Sequence, residues 1–553
     1  MQRDLMERIQ CGIWLEAPAN IPGKVVATKE RTGNLNFLEV RTSAHQKVEV
    51  EAAAGRRTCS LLLSRPHGLR VGILPGQVAA PLNAEQPAEQ RGAGLWARPR
   101  ELEMQLPDVP MRHIFSFLDA ASLLRVGQVS RYWKNIADEE HLWRNLCQRR
   151  WSISWEGLQV PSWKQLFLTQ ARRERCMMGA QPQDFAYREA TGGLGSDPST
   201  SGQKPVICTV SSRYMLYAWD VQEGVMIWSS PVQQCKIKCL ATLPQRSLAV
   251  TVDAWNTIKV WNCRDVNPLA TLTMSTCCLS LEVFLTDDGP FLMIGDSEGD
   301  IYTLTVPELN SISHVNAFEY PVDHLHCSPN RKWIFACGTH QHVLPKVFLV
   351  ECLLRPAVGR APLFVSLPFA FCSQACWAVK CVNRLTIMFQ GDFFRRTGFT
   401  TFDLTAESTG DSTAIEAREI ASFMLPGGMD VPVWMGVRDG TAVVFESGPR
   451  LFLFTIHGLL LKEFHDHENT ICYLWTDSVH VLTTSRDNYL HLYMWEEEGW
   501  HPHLRSCCHL EHRKGDIRPS CYDPIAICDN TSIVCVVSKC GGASVLVMYS
   551  LNM

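Results

Sequence analysis

No run of about 18 apolar residues occurs anywhere in the chain, so no membrane-spanning helix is expected. Charge of one sign is not in excess either: 52 lysines and arginines face 56 acidic residues, for a net charge of −4. That balance gives no electrostatic footprint for nucleic acid or for an anionic membrane surface, and neither is expected as a partner. The opening MQRDLMERIQ is charged and lacks the apolar core of a secretory leader. No G-x-x-x-x-G-K-[ST] phosphate loop and no G-x-S-x-G nucleophile elbow is present. With no convergent acid/base or metal cluster, catalysis is not expected, and no cofactor is implied. One residue type is abundant. The 23 cysteines, an odd number without a leader, read as reduced thiols of a cytoplasmic or nuclear protein.

The cysteine-rich stretches do not spell a metal site. Zinc wants four ligands, usually from two separated pairs. Cys507 and Cys508, followed by His509 and His512, are adjacent on a predicted strand and point to opposite faces. Cys521 nearby does not mend this. Cys277-Cys278 and the pair Cys372 and Cys376 read in the same way, as small core residues.

Leu106 to Trp143 holds four short helical patterns in under forty residues. Pro107 and Pro110 open the first, where a missing N–H costs nothing. Ser122, Ser130 and Asp138 are expected to cap the next three. The apolar set includes Ile114, Phe115, Leu118, Leu123, Leu124, Val129, Trp133, Leu142 and Trp143, more than so small a unit buries alone. Such a module gains stability from a partner. A hairpin that merely packs on the rest of the chain is the plainer alternative.

Residues 1–100 differ in character. From Ala52 to Arg100 they are rich in Ala, Gly, Pro, Arg and Gln without periodicity, and are expected to be largely disordered and dispensable for folding. Ser162 to Met177 shows Trp163, Leu166 and Phe167 at helical spacing with Ser162 as cap; Arg172, Arg173 and Arg175 are read as a solvated helix end. Residues 188–204 read as a Gly/Ser/Pro-rich linker.

From about Pro205 the pattern becomes short alternating strands between turns. An equivalent large apolar position recurs at Trp219, Trp261, Leu304, Leu349, Phe402, Phe454, Tyr493 and Tyr549. The steps are mostly about 40 to 54 residues, close to the period of four-stranded propeller blades. The final ASVLVMYSLN is expected to close the ring by pairing with strands near 205–220.

The helical stretch resembles an F-box, through Leu106-Pro107, Ile114, Phe117-Leu118, Leu123-Leu124, Val129-Ser130, Trp133, Asp138 and Leu142-Trp143. The resemblance implies docking on the small Skp adaptor of a cullin–RING ubiquitin ligase. Leu106, Pro107, Ile114, Phe115, Leu118, Leu123, Leu124, Val129, Trp133 and Trp143 are the candidate contacts. The repeating part resembles a degenerate WD40 propeller of seven or eight blades. Only Trp219-Asp220 spells the signature dipeptide. The best-preserved repeat carries His467, Ser485, Asp487 and, in place of the usual Trp, Tyr493; the resemblance implies that these form a buried hydrogen-bonded chain. In the third repeat Glu298 stands where the turn Asp is expected, so most blades are expected to rely on apolar packing.

Together these parts resemble the F-box/WD-repeat family. The expected organisation is an N-terminal extension over 1–100, an all-α F-box over 104–150, a helical linker over 151–187 and an all-β propeller over 205–553. The resemblance implies a non-catalytic substrate receptor that presents an unidentified protein target. A non-degradative scaffold with an idle F-box is the rival expectation. Rim arginines hold phosphopeptides in some relatives, but Arg246, Arg331, Arg384, Arg438 and Arg486 are each read as solvated surface groups.

Overall fold

In a computed structural model, the described residues are 13–15, 107–151, 162–189, 191–194 and, with short interruptions in loops, 205–552. Residues from 112 onward belong to one compact unit; 107–111 fall in a second. Leu106, Arg486 and Asp487 lie outside the described residues, as does most of the N-terminal extension.

Four short helices come first in this part of the chain: α1 (Asp108–Phe115), α2 (Ala120–Val126), α3 (Arg131–Ala137) and α4 (Glu140–Trp151). The cap of α2 is Asp119, whose carboxylate accepts the Ser122 N–H at 2.7 Å; Ser122 itself lies inside the helix. Ser130 caps α3 by accepting the Trp133 N–H at 3.1 Å. Asp138 ends α3 rather than starting α4, and its carboxylate accepts from Lys164 Nζ. α5 (Trp163–Gly179) is capped by Ser162 and runs well past Arg175. Arg172, Arg173 and Arg175 therefore sit in mid-helix, not at the end that the sequence suggested.

The rest folds into eight sheets. Each of the eight recurring apolar positions lies on the third strand of a different sheet, from Trp219 on Leu216–Asp220 to Tyr549 on Ser544–Leu551. The period in the sequence is therefore the blade repeat, and it counts eight. Consecutive sheets bury mixed apolar layers: Val252, Ile258 and Val260 of the second pack with Leu281, Leu292 and Leu304 of the third. Phe399 of the fifth packs with Phe445 of the sixth, ring centroids 5.0 Å apart.

Closure differs from the expectation. Ser544–Leu551 pairs antiparallel with Phe185–Glu189, which precedes the propeller, and not with the strands near 205–220. The chain thus completes its eighth sheet with a strand from its own beginning, which leaves no open edge at the seam. Leu546 and Met548 do face the first sheet, packing with Trp219, Val221 and Met226. In that first sheet Ile13–Leu15 pairs with Pro205–Ile207, so part of the N-terminal extension takes part in the fold. Thr191–Leu194 lies at the other edge, parallel to Val225–Ser229.

Polar turns contribute more than the degenerate signature implied. Asp253 Oδ1 accepts the N–H groups of Trp255 and Thr257, and Asp296 Oδ1 those of Glu298 and Asp300. The turn acid of the third blade is therefore Asp296, two residues before Glu298. Gly299, at a φ of +89°, follows it; an added Cβ would lie 2.0 Å from the Phe318 carbonyl oxygen, so only glycine fits there.

Candidate protein-docking interface

The helical module sorts its apolar residues into two sets. Phe115, Leu123, Ile136, Leu142 and Trp143 form its own core. Phe115 meets Trp133 edge-to-face at 5.7 Å, and Trp143 donates its indole N–H to the Ala137 carbonyl at 2.7 Å. Trp143 also meets Phe167 of α5, so the core continues into the linker helix. Phe115, Leu123 and Trp143 are therefore not available to a partner, and Trp133 is only half exposed. A short helix buries one face, and the pattern of apolar residues alone did not fix which face that was.

The second set is on the surface. Ile114 is exposed, and Phe117 and Val129 are 72% and 64% exposed. Pro107 and Val109 are exposed as well, while Leu118 and Leu124 are partly so. Phe117, which the F-box resemblance pointed to, was not among the ten candidates. Large apolar groups exposed together mark an interaction surface more often than an idle one. On the same module Arg112 Nε meets Glu139 Oε1 at 2.7 Å, and Arg149 donates to the Ser116 carbonyl.

A joint ties this module to the propeller. Arg150 of α4 forms a two-pronged pair with Glu174 of α5, and Trp151 donates its indole N–H to the same carboxylate at 3.3 Å. Glu174 is almost fully buried, so the pair is shielded from solvent on the acid's side. α5 packs against the strand His503–Glu511 of the seventh blade. Beside it Arg438, itself buried, donates to the Ser478 carbonyl and lies 5.6 Å over the Trp495 ring. The reading of Arg438 as a solvated group is thus corrected. Arg384 is likewise engaged, gripping Asp403 with both prongs at 2.7 and 2.8 Å. Near the joint His480 Nδ1 lies 3.0 Å from Asp477 Oδ2. Burial pushes the Asp477 carboxyl up, but the adjacent His480 outweighs it and leaves the carboxyl below its usual range.

The seventh blade carries the predicted polar chain in altered form. His467 Nε2 meets Thr483 Oγ1 at 2.8 Å, two residues before the expected Ser485, which is buried on the same strand. Tyr493 is fully buried and packs edge-to-face on Phe464. His491 joins this chain, its Nε2 2.7 Å from Ser506 Oγ and its Nδ1 3.0 Å from His509 Nδ1. Burial, with His509 and His467 close by, holds the His491 pKa down at about 4. In the second blade Trp261 donates to Thr251 Oγ1 at 2.9 Å, a link between the second and third strands. Trp219 and Asp220 are buried, and Asp220 accepts the Gln222 and Glu223 N–H groups to hold a turn.

Among the described residues no group of three His, Cys, Asp or Glu is placed to hold a metal ion. Cys277, Cys278, Cys372, Cys376, Cys507 and Cys508 are free thiols. Burial pushes the Cys278, Cys376 and Cys508 thiols up to about 12, so they are poor nucleophiles at neutral pH.

Comparison with known proteins places these parts in context. A family model described as F-box-like matches residues 104–149. The chain is 49% identical over 466 residues to human F-box/WD repeat-containing protein 12, covering 82% of this chain and all of that protein. It is 35% identical over 466 residues to mouse F-box/WD repeat-containing protein 15, covering 82% of this chain and 99% of that one. A shorter match, 32% over 102 residues, covers 18% of this chain and 15% of a Talaromyces marneffei protein named as a probable E3 ubiquitin ligase complex SCF subunit.

Proposed function

The chain belongs to the F-box/WD-repeat family, and we propose that it is a substrate receptor of a Skp–cullin–F-box ubiquitin ligase, acting in the cytoplasm or nucleus. The observation that carries this reading is the exposure of Ile114, Phe117 and Val129, three large apolar side chains, on a module matching the F-box model. The relative named as a subunit of such a complex supports the same assembly.

The mechanism is positional. These exposed side chains dock on the Skp adaptor, and through it the chain joins a cullin and its RING protein. Phe115, Leu123 and Trp143 keep the module in shape from within. The pair Arg150–Glu174 fixes α4 against α5, and α5 lies against the seventh blade, so the adaptor-binding face and the propeller share one frame. A target held on the propeller is then near the charged ubiquitin carrier at high effective concentration. In this reading bond-making is left to the rest of the ligase. The chain's contribution is orientation.

The test is binding of the purified Skp adaptor to the full chain. Sub-micromolar complex formation is expected, with a loss of about tenfold or more in Ile114→Asp and Val129→Asp, because a charge must be desolvated at an apolar contact. Equal adaptor binding by wild type and both variants would remove the docking role of these side chains.

A further inference from the structure

The second blade carries an aromatic side chain that its packing does not use. Trp255 is 62% exposed, at the turn between the strands Leu248–Asp253 and Thr257–Asn262. This turn is rigid. Asp253 Oδ1 accepts the N–H of Trp255 and of Thr257, each at 2.9 Å, and Asn256 adopts a φ of 59°. Two neighbouring segments are bonded to it. Ala254 N–H donates to the Lys236 carbonyl at 2.7 Å, and Met274 N–H to the Asn256 carbonyl at 3.0 Å. The side chain is thus displayed on a preorganised tip, which lowers the entropy lost when a partner covers it.

The exposed charge beside the tip is mostly positive; the Asp253 carboxylate is buried and held by the backbone N–H groups of Trp255 and Thr257. The three segments that meet here, 230–238, 254–259 and 274–277, contain Lys236, Lys238 and Lys259 and no aspartate or glutamate. Lys236 is exposed, and Lys238 and Lys259 are partly so. Lys238 Nζ lies 3.5 Å from Cys277 Sγ, and Lys259 Nζ reaches Gln233 Oε1. Val232, also exposed, adds an apolar group on the first of these segments. The third blade bounds the patch: Ser297 N–H donates to the Cys277 carbonyl, which brings the exposed Glu298 to that side.

We propose that this edge of the second blade is a docking site for an acidic protein segment that carries an apolar or aromatic side chain, with Trp255 as its anchor and Lys236 and Lys238 as its charge partners. An exposed Trp on a segment bonded to a lysine-bearing strand has the composition of an interface hot spot, and the lysines select carboxylate or phosphorylated neighbours over basic ones. The inference rests on the receptor reading only for its consequence, namely that the docked segment would belong to the target.

The test uses the full chain and a phage-displayed library of random peptides as the probe. Selected peptides are expected to be rich in Asp and Glu around an aliphatic or aromatic residue, and to bind more weakly as salt is raised. Their affinity is expected to fall about tenfold in Trp255→Ala and in the double variant Lys236→Glu, Lys238→Glu. Both variants should keep the thermal stability of wild type, because the substituted side chains lie at the surface. Val431→Ala, on the sixth blade, is the control and should bind as wild type does. A selected pool without acidic bias, acidic peptides that bind these variants unchanged, or no enrichment at all would overturn the site. Adaptor binding, measured in parallel, should be unaffected in every variant. Its absence in wild type would count against the receptor reading and not against this site.

Discussion

Ile114 and Phe115 are neighbours in sequence with opposite roles. Phe115 is buried beneath Trp133, while Ile114 faces solvent. Phe115→Ala should cost about 3–5 kcal/mol of stability, the usual penalty for a buried ring. Ile114→Ala should cost no more than about 0.5 kcal/mol yet weaken adaptor binding. Chemical denaturation and adaptor titration of the two variants separate these outcomes; equal loss of stability in both would place Ile114 in the core. A second residue-scale expectation concerns pH. His491 titrates at about 4 in the folded protein, below the ordinary 6.5, because it is buried beside two other histidines. The unfolded chain takes up the proton first as pH falls. Stability is therefore intact above about 6.5, declines as pH drops towards 4 and levels off below, a loss of at most about 3 kcal/mol from this group. Thermal melts across that range should show the decline, and His491→Gln should flatten it. An unchanged slope in the variant would assign the effect elsewhere. The sequence pointed to His467 and Tyr493, but not to His491 and Thr483. Residues on one strand that differ by two share a face, so the pattern alone could not choose between Thr483 and Ser485.

Among the elements, α5 shows most clearly what a one-dimensional pattern can and cannot reveal. Its cap at Ser162 and its apolar spacing were legible, because both are local. Its end, placed at Met177, was close to the observed Gly179; only the place of the three arginines differed, since they stand before the last turn and not in it. What keeps the helix going to Gly179 is tertiary: Glu174 turns inward to Arg150 and Trp151, and α5 lies on the seventh blade. Glu174→Ala should remove the carboxylate that Arg150 and Trp151 share and cost about 3 kcal/mol. A parallel effect is expected on geometry, with the distance between labels on α3 and on the sixth blade becoming broadly distributed. A narrow, unchanged distribution would show that the joint does not depend on this pair. The seam strand was misread for a related reason. The apolar pattern marked Ser544–Leu551 as a strand that closes the ring, but pairing is long-range, and Phe185–Glu189 reads as linker when viewed alone. Ala186→Pro together with Arg188→Pro removes two donors from this seam. Aggregation and a lower melting temperature should follow in size-exclusion and melting experiments. A monomeric variant of unchanged stability would mean that the seam is held by the apolar layer of Trp219, Met226, Leu546 and Met548 alone.

At the scale of the molecule, the repeat of large apolar residues was the strongest signal; it left seven or eight blades open, and its eight positions fall one to a sheet because each third strand buries one such side chain. The helical module was legible by its ordered anchors, though not by which face each one takes. The least legible feature was the edge of the second blade, since exposure of Trp255 is a property of the assembled surface. The central claim is that one chain couples an adaptor-binding module to a target-binding propeller. The most direct measurement is affinity purification of the full chain and of a form lacking residues 107–151, followed by mass spectrometry with quantification of ubiquitin on the captured proteins. The account predicts that the full chain recovers the Skp adaptor, a cullin and a set of ubiquitin-bearing targets, and that the shortened form keeps the targets, unmodified, while losing adaptor and cullin. Equal recovery of adaptor and cullin with both forms, or targets equally modified with both, would contradict it.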